Sequence, residues 1–101
     1  MPQGPLPVRS ESNIGVSTLL NITATTVVKA SSGVCYKAAI VTYGTAAPTL
    51  YDTPVAANAA ATNEICSIGT VATAGTVPIE WPFLTGLTIN PNGGTVTVAF
   101  S

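Results

Sequence analysis

The chain has 101 residues, only 7% of them are charged, and the formal net charge is −1. This length accommodates one domain, which excludes a deep cleft between two domains. Three basic residues are too few to bind the phosphates of a nucleic acid or the surface of an anionic membrane.

The low charge has two interpretations. Ordinary globular chains carry about 25% charged residues, so this surface is short of the groups that normally keep a monomer in water. Ser and Thr hydroxyls could supply that solubility instead. Alternatively, partner proteins cover much of the surface, and we favour this interpretation because interface cores are depleted of charge.

No apolar run reaches the ~18–20 residues that a membrane-spanning helix needs. The segment after Met1 contains Pro2, Gly4 and Pro5, where a signal peptide would have a basic stretch followed by an apolar one. We therefore expect the chain to be made and to fold in a cytoplasm.

Residues 1–13 differ from the rest of the chain because three prolines fall close together there, which favours extended backbone. Two interpretations stay open. The segment is either a frayed terminus or an arm that orders along a neighbouring subunit. In the second case Leu6 and Val8 would be its apolar anchors, and Arg9 would be its ionic contact.

Residues 14–101 are predicted to form one all-β domain. Runs rich in β-branched residues are separated by turn residues every 8–12 positions or so, and no run of ten or more residues reads as a helix. This spacing is typical of an antiparallel β-sandwich of either the jelly-roll or the immunoglobulin-like type. The seven predicted strands are 23–30, 34–43, 49–53, 64–68, 76–83, 87–90 and 95–101.

Residues 55–62 are rich in alanine and are predicted to be a loop with one turn of helix, because eight residues are too few for a stable helix. The segment 69–75 is predicted to be a loop. The Asn92–Gly93 pair is the strongest turn signal in the chain, since both residues tolerate positive φ, and it predicts a tight β-hairpin.

Alternation of side chains predicts which residues of the longer strands face the core. In strand 34–43 it places Ala38 and Ile40 inward and Cys35 on the opposite face. In strand 76–83 it places Trp81 on the inward face, and we favour a core position for Trp81 over a place in a binding surface. Two prolines in that strand predict a sheet edge.

The chemistry of the chain points away from catalysis. There is no histidine, which removes the usual general base and the commonest metal ligand. The carboxylates of Asp52, Glu64 and Glu80 are predicted to be structural or solvated, and no glycine-rich phosphate loop is present. We therefore predict no enzymatic activity, no cofactor, no metal and no small-molecule substrate.

Cys35 and Cys66 are the only cysteines. Free thiols are favoured because disulfides are rare in a cytoplasm and buried free cysteine is common. A disulfide between two strands and a redox role are the other two interpretations.

From about residue 17 to residue 101, the chain resembles small structural proteins of tailed bacteriophages. The resemblance lies in TLLNITATTVVKASSGVCYKAAIV at 18–41, LYD at 50–52, the pair Trp81–Pro82, and the ending GLTINPNGGTVTVAFS at 86–101. Among these proteins it is similar to capsid decoration, or cement, proteins, which are small β-sandwiches on the outside of the phage head.

The resemblance implies a virion protein on the outer capsid surface that stabilises the head by bridging copies of the major capsid protein. It also implies a closed homo-oligomer, a dimer or a trimer, that matches a symmetry axis of the head. It implies no catalytic residues. A phage tail or fibre module and a carbohydrate-binding β-sandwich are the alternative functions.

Overall fold

The structure is a computed structural model that describes residues 16–68 and 75–101. These residues form eight strands: β1 Ser17–Ile22, β2 Thr26–Lys29, β3 Gly33–Thr42, β4 Thr49–Tyr51, β5 Glu64–Ser67, β6 Gly75–Phe83, β7 Leu87–Asn90 and β8 Thr95–Phe100. Two short 3-10 turns, Ala56–Asn58 and Ala61–Asn63, lie between β4 and β5. The predicted arm at 1–13 and most of the predicted loop at 69–75 lie outside the described residues.

The strands form two antiparallel sheets of four, in the orders β1-β8-β3-β6 and β2-β7-β4-β5. The chain passes from one sheet to the other at every connection except that between β4 and β5. Eight strands in this order make a jelly roll, one of the two sandwich types that the sequence predicts. The prediction of an all-β antiparallel sandwich is therefore confirmed.

The strand predictions hold for seven of the eight strands, and β1 was missed. In β1, only Ile22 is buried and Leu19 is half-buried, while the other residues are exposed. Because this pattern does not alternate, the sequence carries no strand signal at 17–22. The predicted turn of helix at 55–62 is present as the two 3-10 turns.

The Asn92–Gly93 turn does not close a β-hairpin, which corrects the prediction. The turn itself forms as expected, with φ of 51° at Asn92 and 85° at Gly93 and a 3.1 Å hydrogen bond from the Gly94 amide to the Pro91 carbonyl. However, β7 and β8 belong to different sheets. The turn therefore carries the chain across the sandwich, which local sequence does not reveal.

The core lies between the two sheets and is purely apolar apart from threonine hydroxyls. Leu50, Leu87 and Ile89 from one sheet meet Val96 and Val98 from the other, and all five are fully buried. Each fully buried aliphatic side chain of this size stabilises the fold by about 1.5–3 kcal/mol. Several apolar residues of the strands are only half-buried, namely Val27, Val34, Tyr36, Ile65, Val77, Ile79 and Phe100.

The prediction that Cys35 faces away from the core is wrong. Cys35 is fully buried, as are Ala38 and Ile40, and the register of β3 against β8 shifts between Cys35 and Lys37. A β-bulge therefore adds one residue to β3 at this point and reverses the alternation. Strict alternation along β3 cannot anticipate such a reversal.

Candidate protein-binding surface

Leu6, Val8 and Arg9, the predicted partner-binding residues, lie outside the described residues. The described chain offers a different set of candidates, which are large apolar side chains left in solvent. They are Val16, Leu20, Val41, Val55, Trp81 and Leu84. Leu84 is the most exposed at 77%, and Trp81 is 55% exposed.

A groove of about 310 Å³ opens on one side of the sandwich, where the edge strands β5 and β6 of the two sheets lie next to each other. We call it the β5/β6 groove. Its lining is mostly apolar and comprises Ile65, Cys66, Ser67, Val77, Pro78, Ile79 and Trp81. Val77 and Ile79 also pack against the core, so the groove is an opening in the side of the core.

Trp81 lies at this groove because of its place in the sheet. It pairs with Cys35 on β3, which puts both side chains on the inner face, as the alternation predicts. Since β6 is an edge strand, no strand beyond it in the described sheet covers the indole. The prediction that Trp81 is a core residue is therefore wrong, although the predicted sheet edge is confirmed.

Leu84 is held by a carboxylate that follows β4. The amide of Leu84 donates a hydrogen bond of 2.9 Å to Asp52 Oδ2, and the amide and hydroxyl of Thr85 each donate one of 2.9 Å to Oδ1. The Gly86 amide adds a longer bond of 3.4 Å to Oδ1. We call this arrangement the Asp52 clamp. It fixes the backbone between β6 and β7 and turns the Leu84 side chain into solvent.

The clamp also lowers the pKa of Asp52. Partial desolvation of the carboxylate acts to raise the pKa, but the hydrogen bonds from Leu84, Thr85 and Gly86 outweigh that effect and leave the pKa below its usual value. Asp52 is therefore ionised at neutral pH and acts as a structural acceptor, in line with the structural role predicted for it. The sequence gives no signal for its partners, which lie more than 30 residues away.

Val55 is placed at the same end of the molecule as Leu84 by the segment that follows Asp52. The Val55 amide donates to the Thr53 hydroxyl at 3.2 Å, and the buried Thr88 hydroxyl donates to the Thr53 carbonyl at 2.8 Å. These bonds tie the segment to β7. Two exposed apolar side chains, Val55 and Leu84, thus flank a backbone that hydrogen bonds hold in place.

Cys35 and Cys66 are free thiols, as favoured from the sequence. Burial raises the pKa of Cys35 to about 12, and the nearby Cys66 thiolate adds to the increase. Burial also raises the pKa of Cys66, with a further contribution from the Glu64 carboxylate. Since the thiolate is the reactive form, neither cysteine is activated as a nucleophile.

The other two carboxylates of the described chain lie on the edge strands β5 and β6. Glu64 and Glu80 are exposed, and no group of three or more potential metal-ligating side chains occurs within residues 16–68 and 75–101. In the same residues, no helix is long and apolar enough to cross a membrane. Among the described residues, the arrangement offers exposed apolar surface for binding.

Comparisons of the chain with protein-family models, with curated proteins and with solved structures found no match.

Proposed function

We propose that the protein is a structural subunit that binds other proteins in a larger assembly through uncharged, apolar surface. The observation that carries the proposal is the pair Trp81 and Leu84. Both are large, more than half exposed, and close in sequence at one side and end of a sandwich. Trp81 lines the concave, mostly apolar β5/β6 groove, and Leu84 follows three residues later. Large apolar side chains that are exposed on a well-packed domain mark interaction sites.

The charges of this region fit a partner surface that is also apolar. No charged side chain lines the β5/β6 groove. Glu64 and Glu80 lie beside it on the edge strands, and Lys37 pairs with Pro78 of the lining. A binding surface with an apolar centre and a charged rim is the usual arrangement of a protein–protein interface. It gives little attraction for a polar ligand or for a nucleic acid.

The assembly that we propose is a phage head, with the major capsid protein as the partner. The resemblance to capsid decoration proteins supports this, and so does the jelly-roll topology, which many viral capsid proteins share. The topology is an argument by analogy, because lectins and small-molecule-binding proteins use the same fold. A place in the tail or a fibre would use the same surface.

A carbohydrate-binding function is the less favoured candidate. Sugar-binding sandwiches present several aromatic side chains together. All six aromatic residues of the chain lie within the described residues, and Trp81 is the only one that is mostly exposed. Tyr36, Tyr43 and Tyr51 are half-buried and Phe83 is fully buried.

The experiment uses phage heads purified from a strain that lacks the coding sequence. Purified protein is mixed with these heads and centrifuged, and the protein in the pellet is measured. We expect the wild type to sediment at a fixed number of copies per head. Leu84→Lys and Trp81→Ser should bind at least about tenfold more weakly, because hot-spot truncations cost about 2 kcal/mol or more.

Val41→Lys is the matched control, since Val41 is 52% exposed but does not line the β5/β6 groove and takes no part in the Asp52 clamp. It should bind as the wild type does. If the wild-type protein stays in the supernatant, the proposal that it binds phage heads is contradicted. Sedimentation with tails in the same assay would move the proposal to a tail module. Equal binding by all variants would contradict the proposal that Trp81 and Leu84 belong to the binding surface.

A further inference from the structure

The four edge strands of the sandwich differ in how they discourage another strand from pairing with them. Edge strands expose unpaired backbone amides and carbonyls, and proteins protect them with prolines, charges or short length. β6 carries Pro78, Pro82 and Glu80. β2 and β5 have four residues each and carry Lys29 and Glu64, respectively.

β1 has none of these protections apart from a bulge. It is six residues long, and Ser17–Ile22 contains no proline and no charge. Within residues 16–68 and 75–101, β8 is the only strand that pairs with it. Leu20 in this strand is 65% exposed, and Val16 just before it is 40% exposed. The bulge, which involves Leu20 and Asn21, leaves a regular stretch at Ser17–Leu19.

We propose that β1 pairs antiparallel with β1 of a second copy of this chain, across a twofold axis. In such a contact each residue near the axis meets its own copy, so a charged residue would face a like charge. β1 is the only one of the four described edge strands without a charge. It is therefore the one described edge strand that can pair with itself in any register without placing like charges together.

The order of the strands means that this contact produces a closed dimer and not a longer chain of copies. Joining two β1 strands gives one continuous sheet of eight strands with β6 at both outer edges. The prolines of β6 stop further addition of strands. The contact is short, so we expect a dimer that dissociates on dilution. It leaves the β5/β6 groove of both copies open, because that groove lies on the side of the sandwich away from β1. The inference does not depend on the proposed function.

The test is sedimentation velocity of the full chain over a wide range of concentration, with hydrogen exchange of the β1 amides at the two extremes. We expect the mass to rise from monomer to dimer. We also expect the exchange of amides within 17–22 to slow as the dimer forms. Leu20→Lys should weaken the dimer about tenfold or more, since it replaces an exposed apolar side chain of the contact with a charge and brings two like charges into one small interface.

Val41→Lys is again the matched control, because it makes the same change on an exposed position of β3 in the same sheet. It should dimerise as the wild type does. A monomer at every concentration would overturn the proposal, and so would a dimer that Leu20→Lys leaves intact. Protection of the β1 amides that does not depend on concentration would also overturn it, since another part of the same chain would then cover the edge.

Binding to heads separates this proposal from the proposed function. Leu20→Lys should still reach the heads through the β5/β6 groove, and Leu84→Lys should still dimerise. A wild type that dimerises but does not bind heads would contradict only the proposed function, and a wild type that binds heads as a monomer would contradict only the β1 dimer.

Discussion

The two ends of β7 are both crossings between the sheets, and they are fixed by different physics. At the start of β7, the Asp52 clamp holds the crossing from β6 through hydrogen bonds to a carboxylate. At its end, the Asn92–Gly93 turn crosses to β8. This second crossing is held by close approach of backbones and by a neutral amide.

At the neutral end the backbones approach each other closely. The Thr45 amide donates to the Asn92 carbonyl at 2.9 Å, and the Asn92 side-chain amide donates to the Ala47 carbonyl. Gly44 and Gly94 lie so close together that neither has room for a side chain. The difference teaches that one end of β7 is held by a titratable group and the other by neutral groups. Leu84, the most exposed large apolar residue of the described chain, lies at the end with the titratable group.

The largest expected effect is at the neutral end. In Gly94→Ala, the new methyl group would overlap the Thr42 carbonyl oxygen and lie 2.7 Å from the Gly44 nitrogen. Since both obstacles are backbone atoms, we expect the free energy of unfolding to fall by about 3 kcal/mol or more. Urea denaturation at pH 7 measures the change.

Gly93→Ala is the control for this prediction. It lies in the same turn and has φ of 85°, but the nearest atom to an added methyl group is 3.6 Å away. Only the positive φ then opposes the substitution, which costs about 1 kcal/mol. If the two variants lost equal stability, the close approach at Gly94 would not be what fixes this end.

The next effect is at the Asp52 clamp. Asp52→Asn removes the charge but keeps the shape, and because the bonds are largely exposed we expect a loss of about 1–2 kcal/mol at pH 7. The pKa of Asp52 is lowered on folding. Its contribution is therefore complete above the unfolded-state pKa of about 3.8 and is lost as the pH falls through the lower folded-state value.

Urea denaturation at a series of pH values checks this. The curves of wild type and Asp52→Asn should converge at low pH. Glu80→Gln changes an exposed carboxylate and should follow the wild type throughout. A gap between wild type and Asp52→Asn that stays constant down to pH 2 would show that the charge of Asp52 does not hold the crossing.

A carboxylate introduced at the neutral end should give the opposite dependence of stability on pH. In Asn92→Asp, a carboxylate replaces the amide that donates to the Ala47 carbonyl, so two acceptors would face each other. We expect a loss of about 1 kcal/mol at pH 7. Here the pKa of the new carboxyl would be raised on folding, so the lost stability should return in part as the pH falls. A deficit that grows on acidification would contradict the proposed donor role of Asn92.

The smallest effect should follow the change in Leu84. Leu84→Lys alters a side chain that is 77% exposed, so the free energy of unfolding should change by no more than about 0.5 kcal/mol. Thermal unfolding followed by circular dichroism is sufficient. A larger loss would mean that Leu84 supports the clamp itself, and that its variant is unsuitable for binding assays.

The sequence was most informative where local rules decide the structure. Pro78 and Pro82 marked β6 as an edge strand, and Asn92 and Gly93 marked a turn with positive φ. Both features depend on backbone chemistry within a few residues. The same rules could not say that the turn joins two sheets, because the partners of β7 and β8 are distant in the chain.

The candidate site was less predictable than the fold. Alternation correctly places Trp81 on the inward face of β6. Only the order of the strands shows that this face is open to solvent at the edge of the sheet. Asp52 reads as a polar residue at a strand end until Leu84 and Thr85 are brought next to it. Cys35 was misplaced because a bulge reversed the alternation in β3. All three depend on tertiary contacts that no local pattern encodes.

We propose that this protein stabilises an assembly, a phage head, by binding its surface. The most direct measurement is the temperature at which phage heads that lack the protein release their DNA, with and without added protein. We predict a higher release temperature with the wild type and with Val41→Lys, and no change with Leu84→Lys. Heads that bind the wild type and still release their DNA at the original temperature would contradict the claim.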